Sequence, residues 1–272
     1  MVEVPKHPEF VLGNVQDRSS PSDEDWEQWQ PEDHEPVDSF WLSDREVSRR
    51  QVRALLDDGA TWAQQQPRWQ KLRSQLREIY NAEMVENAQN NSLDRPITAS
   101  WYNAVALCNL LSIYEGLDPA YSFSADAFVV GDRSLELQIQ AGIALSTVHS
   151  TSGNGYRLPS EREWEYACRA LSMSDFVFGN RVDWLDLYAT WNQRPLVSGG
   201  SLRPNRWGLF DMHGSLLEWC GDTADREKLM RSEQEVIAEL KSQLQAEQPS
   251  RVLRGGSFSG DSPDVLRSAD RY

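Results

Sequence analysis

Apolar residues recur at helical spacing in five stretches, separated by runs that Gly and Pro interrupt. Ser48 with Gln51 three residues on makes a capping box, and Val52, Leu55 and Leu56 supply the apolar face of a short helix ending near Gly59. From Pro67 the residues Trp69, Leu72, Leu76, Tyr80 and Met84 predict a longer amphipathic helix. Ser100 caps a third, whose Ala104, Val105, Cys108 and Leu111 share one face and which Gly116 closes. The clearest signal is Ser160 with Glu163, a second capping box, followed by Trp164, Ala167, Cys168 and Leu171 as a core face. A charged helix over 225–247 carries Leu229, Ile237, Leu240 and Leu244 on one side.

Strand signals are short. Val2 to Leu12, ending at Gly13, predicts one strand leading into a loop, and Phe40–Leu42 predicts another. Residues 121–150 lack a strong period, although Leu135 to Leu145 suits a short strand or edge segment. Between Phe176 and Cys220, Trp184, Trp191, Trp207 and Trp219 stand among glycines and prolines, which predicts packed loop. Arg251 to Phe258 reads as a strand entering a tight turn at Gly255-Gly256, where backbone can approach closely.

Composition narrows the function classes. With 39% hydrophobic residues and eleven tryptophans, the 272-residue chain can bury a substantial core. A net charge of −15 and the lack of any basic stretch argue against a nucleic-acid partner. Nine acidic residues between Asp17 and Asp38 read as a solvated loop. Cys108, Cys168 and Cys220 are too few and too widely spaced for a disulfide framework or a zinc motif, which fits a reducing compartment. The opening residues lack a leader pattern, and no apolar run reaches the roughly 20 residues a membrane span needs, so a soluble, cytoplasmic chain without a membrane partner is expected.

Six segments, in order and spacing, resemble the formylglycine-generating enzyme (sulfatase-modifying factor) family. They are Val4-Pro5 to Gly13, Arg45-Glu46-Val47-Ser48, Ser100-Trp101-Tyr102-Asn103-Ala104-Val105, Gly155 to Glu161, Asn205 to Glu218, and Arg254-Gly255-Gly256-Ser257. The resemblance covers nearly the whole chain. It implies a single α+β domain over 1–272 with the C-type-lectin-like fold and much irregular structure. Helical additions at about 62–90 and 225–247 stand outside the family's usual core. The family continues past this point to a closing strand, which is missing here; the resemblance therefore implies an unpaired edge, or a chain that is part of a longer multidomain protein.

The resemblance also implies what the site lacks. Active members bind Cu(I) with two cysteine thiolates just beyond Gly-Gly-Ser, and use dioxygen to convert a substrate cysteine to formylglycine. Those positions fall on Gly260 and Val265. Neither side chain offers the soft donor that Cu(I) prefers, so no catalytic residue and no copper are expected. The family's Gly-Asn-x-Trp-Glu-Trp calcium motif corresponds to Gly214-Ser215-Leu216-Leu217-Glu218-Trp219. Ser215 and Glu218 keep calcium open as a ligand there, weakened by loss of the Asn oxygen; no other cofactor is expected. His213 reads as structural, and no hydrolase elbow occurs.

The stretch after Gly-Gly-Ser borders the substrate groove in the family, and is the diversified surface of its ligand-binding variable proteins. By that resemblance Ser257, Ser259, Asp261, Ser262, Asp264, Arg267, Asp270 and Tyr272 are the candidates to contact a protein, peptide or small ligand. The expected function is a non-catalytic, ligand- or protein-binding or regulatory module, a use to which many bacterial relatives put this domain. The alternative is a formylglycine-generating oxidase.

Overall fold

The computed structural model describes residues 1–13, 34–57, 92–121, 154–223, 251–260 and 262–272, with residues 70, 73, 74, 76, 77 and 80. Its strands pair in twos. β1 (Val2–Val4) runs antiparallel to β4 (Phe40–Leu42), and β2 (His7–Val11) antiparallel to β3 (His34–Val37). β5 (Ala189–Thr190) and β6 (His213–Gly214) form a short parallel pair, and β7 (Glu218–Thr223) pairs antiparallel with β8 (Arg251–Arg254).

The single strand expected from Val2 to Leu12 is therefore two. Pro5 lacks the N–H a continuous ladder needs, and the chain changes partner there, from β4 to β3. β3 itself lies at the end of the stretch read as solvated loop; Val37 is buried against Val4 and Phe10, an apolar contact that the surrounding charges concealed.

The helices follow their local signals. α1 (Arg49–Leu56) has the Ser48/Gln51 capping box and stops at Asp57, two residues before the expected end. α2 (Trp101–Tyr114) is capped by Ser100, whose side chain accepts from the Asn103 N–H. α3 (Glu161–Arg169) has the Ser160/Glu163 box and ends at Ala170 in the left-handed region, φ 44°. Leu171 follows at φ 71° and is 55% exposed, so it does not continue the core face; two consecutive left-handed residues turn it outward. Of the helix expected from Pro67, the described residues are helical, and Leu76 and Tyr80 are buried. The expected elements at 135–145 and 225–247 lie outside the described residues.

Three apolar clusters hold these elements. α1, α2, Leu76, Tyr80 and Tyr121 make the first. The second joins β1–β4 to α3, with Trp164, Tyr166 and Cys168 packed on Leu209, Met212, Cys220 and Val252. The third gathers Phe176, Leu185, Ala189 and Leu266. The Phe176–Cys220 loop also contains a 3-10 segment, Val182–Leu187, beside β5, β6 and the start of β7. The Trp101 indole ties the first two clusters together by donating to the Cys220 carbonyl at 2.8 Å, and the Trp219 indole, at the edge of the first, donates to the Ala99 carbonyl at 2.8 Å.

Candidate functional site

β8 delivers the chain into Gly255 and Gly256, at φ 89° and 76°. A Cβ on Gly256 would stand 2.4 Å from Leu266 Cδ2 and 2.5 Å from the Val265 carbonyl, so only glycine lets this turn lie on the 3-10 segment Pro263–Leu266. Gly214 is equally constrained: its Cβ would meet the Thr190 carbonyl at 2.3 Å.

Backbone bonds lace three segments around the turn. Gly214 N–H donates to Gly255 at 2.7 Å, Ser215 N–H to Thr190 at 2.8 Å, and Phe258 N–H to Ser215 at 2.7 Å. Asn192 and Gln193, both left-handed, donate to the carbonyls of Gly260 and Phe258 at 2.7 and 2.9 Å.

Gly260 and Val265, onto which the resemblance maps the family's thiolates, lie near each other. A Cβ built on Gly260 would lie 3.0 Å from Val265 Cγ2. A glycine and a valine offer copper no side-chain ligand, and the residues present do not fit that metal. The cysteines elsewhere do not substitute. Burial pushes the thiols of Cys108 and Cys168 up to about 12 and that of Cys220 well above its usual value, so all three stay protonated and poorly nucleophilic.

Of the candidate contact residues, Ser259, Asp264 and Tyr272 are exposed; Ser257, Ser262, Arg267 and Asp270 are half-buried; Asp261 lies outside the described residues. Several already serve the loop itself. The Ser257 and Ser259 hydroxyls are 2.8 Å apart. Ser262 caps Pro263–Leu266, Arg267 pairs with Asp264 at 2.7 Å, and the Tyr272 hydroxyl donates to the Val265 carbonyl at 2.7 Å.

Tyr272 also exchanges two backbone bonds with Leu253, at 2.9 and 3.0 Å. These bonds cover the edge of β8 at Leu253.

Arg254, of the Arg-Gly-Gly-Ser run, is fully buried and structural. It donates to the carbonyls of Ser268, Ala269 and Asp270 and pairs with Glu165 of α3, which also binds Arg169 and the Gly13 N–H. Arg271 pairs with Glu161 at 3.1 Å. These bonds fix the candidate surface on α3.

At the calcium-like motif the structure adds two carboxylates that sequence reasoning missed, Glu46 and Asp211. Glu46 accepts from the Ser215 hydroxyl at 2.6 Å and the Leu216 N–H at 2.8 Å. Glu218 accepts from the fully buried Trp164 indole at 3.1 Å, and Asp211 from the Gly200 N–H at 2.7 Å. Burial, then the neighbouring Glu218 charge, holds Glu46 well above the carboxylate range; burial raises Glu218 to about 7. Asp211 is also raised by burial, against the Gly200 bond and the Arg45 charge. The residues Glu46 and Glu218 are only half-buried, so solvent still reaches the pair.

The Ser215 hydroxyl thus donates its proton to Glu46, while a Glu218 oxygen accepts from the Trp164 indole. Among the described residues no three His, Cys, Asp or Glu side chains group to hold a metal ion. Calcium binding at this motif would raise the melting temperature, which thermal melts with calcium and with EDTA check; identical melting in both would remove the motif as a site.

His213 sits beneath the same turn. Val177 N–H donates to its Nε2 at 3.1 Å, so the proton is on Nδ1, which donates to the Leu266 carbonyl at 2.7 Å. Burial lowers its pKa to about 4. A cavity of about 310 Å³ lies elsewhere, lined by His7, Phe10, Gly13, Tyr166, Leu171 and Met173 among others, and none of the candidate residues borders it.

Small two-stranded sheets, a few helices and long ordered loops laced around a Gly-Gly turn define a mixed α/β domain of the formylglycine-generating type. Solved structures share this fold. Treponema denticola variable protein 1 superposes with a TM-score of 0.64 at 21% identity, covering all of this chain and 88% of its own. CarF gives 0.57 at 17% identity, over all of this chain and 90% of its own. The chain belongs to the family described as the sulfatase-modifying factor enzyme 1-like domain, matched over residues 4–272.

Two characterised relatives match parts of it. Chaperone protein LppX of Paenibacillus barcinonensis is 28% identical over 148 residues, 47% of this chain and 51% of LppX. Serine/threonine-protein kinase pkn1 of Chlamydia caviae is 33% identical over 150 residues, 52% of this chain and 23% of the kinase. The chain thus spans about half the length of the first and under a quarter of the second. No helix among the described residues is long and apolar enough to cross a membrane.

Proposed function

We propose that this chain is a non-catalytic binding module of its family, which takes a protein, peptide or small ligand on the surface built by residues 257–272 and the 190–194 loop. The observation that carries this reading is the nearness of Gly260 and Val265, where a Cβ on Gly260 would stand 3.0 Å from Val265 Cγ2: neither of the two positions onto which the family's thiolates map supplies a thiolate. The raised thiols of Cys108, Cys168 and Cys220 support it, because an oxidase of this class needs thiolates and none is provided nearby. Exposed Ser259, Asp264 and Tyr272 give that surface groups for contact, held on a framework rigidly wired to α3. The net charge of −15 argues for a partner other than nucleic acid. A relative that carries the name chaperone protein favours a protein as partner.

The test offers the purified chain Cu(I) in competition with a colorimetric chelator, then a Cys-x-Pro-x-Arg peptide with copper and oxygen, read by mass spectrometry. We expect no retained copper and an unchanged peptide. Conversion of the peptide cysteine to formylglycine would overturn the reading and restore the oxidase. A variant with Gly260→Cys and Val265→Cys is expected to gain Cu(I) binding, since Gly260 does not have the positive φ that would bar a side chain and the Val265 methyl it would crowd is removed. Failure of that variant to bind copper would show that nearness of the two positions does not suffice.

A further inference from the structure

A ridge of exposed apolar side chains runs along the 3-10 segment Val182–Leu187. Side chains three apart eclipse in such a helix, so Trp184 and Leu187 stand in one row and Asp183 and Asp186 in a second beside it. Trp184 is 42% exposed and Leu187 41%, while Leu185 is buried against Phe176, Ala189 and Leu266 and anchors the segment. Asp183 pairs with Arg181, and Asp186 pairs with Arg194 at 2.7 Å and accepts from the Trp191 indole at 2.8 Å. The Arg181 guanidinium lies 5.2 Å from the Trp184 ring centre. The patch thus sets two arginines against two aspartates and is locally neutral.

Charge decides what can sit there. Two copies of a chain carrying −15 repel over most approaches, and a face of balanced charge is where they can touch. A row of Asp–Arg pairs is self-complementary under a twofold axis, the commonest symmetry of soluble homo-oligomers. An axis across the ridge would let Trp184 of one copy meet Leu187 of the other, while the intrachain Arg181–Asp183 and Arg194–Asp186 pairs of the two copies face one another without a net like-charge clash. Trp and Arg are also the types enriched at the energetic centres of interfaces. We propose that this ridge is a self-association surface through which two copies of the chain form an isologous dimer. Few side chains take part, so the dimer is weak and concentration-dependent.

Sedimentation velocity on the full chain over a range of micromolar concentrations tests this without any ligand. The expected result is a rise from the 31.1 kDa of one chain toward twice that mass. Leu187→Glu places a further carboxylate in the ridge and should weaken self-association on the order of tenfold or more. Trp184→Ala should weaken it as well. Both side chains are substantially exposed, so neither change should alter the melting temperature of the monomer. A single-chain mass at every concentration, or a dimer that persists equally in both variants, overturns the proposal. Either result leaves the binding reading untouched, because the 257–272 surface takes no part in this measurement.

Discussion

Arg254→Met is expected to destabilise the fold by about 3–5 kcal/mol, a loss that few single substitutions reach. The side chain is fully buried, and its guanidinium serves three consecutive carbonyls, of Ser268, Ala269 and Asp270, together with the Glu165 carboxylate. Methionine matches the apolar stem but none of those bonds. One buried and two part-buried carbonyls lose their donor, and Glu165 keeps Arg169 and the Gly13 N–H. Urea denaturation followed by circular dichroism measures the loss as a lower midpoint at unchanged slope. Arg254→Lys should recover little, because one ammonium cannot reproduce a planar fork aimed at four acceptors. Adding Glu165→Gln to Arg254→Met should be less than additive, since the second change removes the charge that the first leaves under-compensated. A loss below about 1 kcal/mol for Arg254→Met would mean that water replaces the guanidinium and that the C-terminal segment is held by other contacts.

The same arginine shows what was legible in the chain and what was not. The Arg-Gly-Gly-Ser run is visible as a motif, and its glycines announce a tight turn, which is where they stand. Nothing in its neighbourhood tells that Arg254 points inward, because its carboxylate partner lies 89 residues earlier. Local signals succeeded where their physics is local. A capping box closes within three residues, and Ser48 with Gln51 and Ser160 with Glu163 both form it. Glu46 is the opposite case. It bonds Ser215 and Leu216 at separations of 169 and 170 residues, so the short motif that contains it does not assign it to the site. Leu171 had the right spacing for the core face of α3, but the helix ends one residue earlier in a left-handed turn with no glycine to announce it. The adjacency of Gly260 and Val265 came only through a resemblance. No periodicity links a glycine in a turn to a valine in a 3-10 segment, and it is the turn's geometry that brings them close enough for a Cβ on Gly260 to meet Val265.

His213→Gln is expected to remove a dependence of stability on acid that amounts to about 3 kcal/mol in the natural chain. The imidazole is 1% exposed and lies edge-on to Phe176, with both ring nitrogens committed to backbone, one to Leu266 and one to Val177. Protonation would put a second N–H where the Val177 N–H already points, and would charge a group shut off from water; the pKa accordingly falls to about 4 from 6.5. The unfolded chain therefore binds this proton first. The stability that neutral His213 contributes is fully present above the unfolded value of 6.5, and is lost as pH falls through the folded value near 4. Glu218 acts in the reverse sense: its folded pKa near 7 exceeds its ordinary 4.5, so the fold loses stability as pH rises across that interval. In the natural chain the two slopes oppose one another between pH 4.5 and 6.5, with Glu46 and Asp211, also raised by burial, acting in the same sense as Glu218. Glutamine at 213 can restore at most part of the hydrogen bonding and does not titrate, so the variant is less stable at pH 7 and exposes the combined slope of the buried carboxyls Glu218, Glu46 and Asp211, gaining stability as pH is lowered from 7 toward 4.5. Urea midpoints at half-unit steps from about pH 4 to 8 test this directly. Parallel curves for the natural chain and the variant would mean that His213 is reached by water and titrates near its ordinary value. In that case its two backbone bonds would not set the packing of β6 on the Pro263–Leu266 segment that carries Val265.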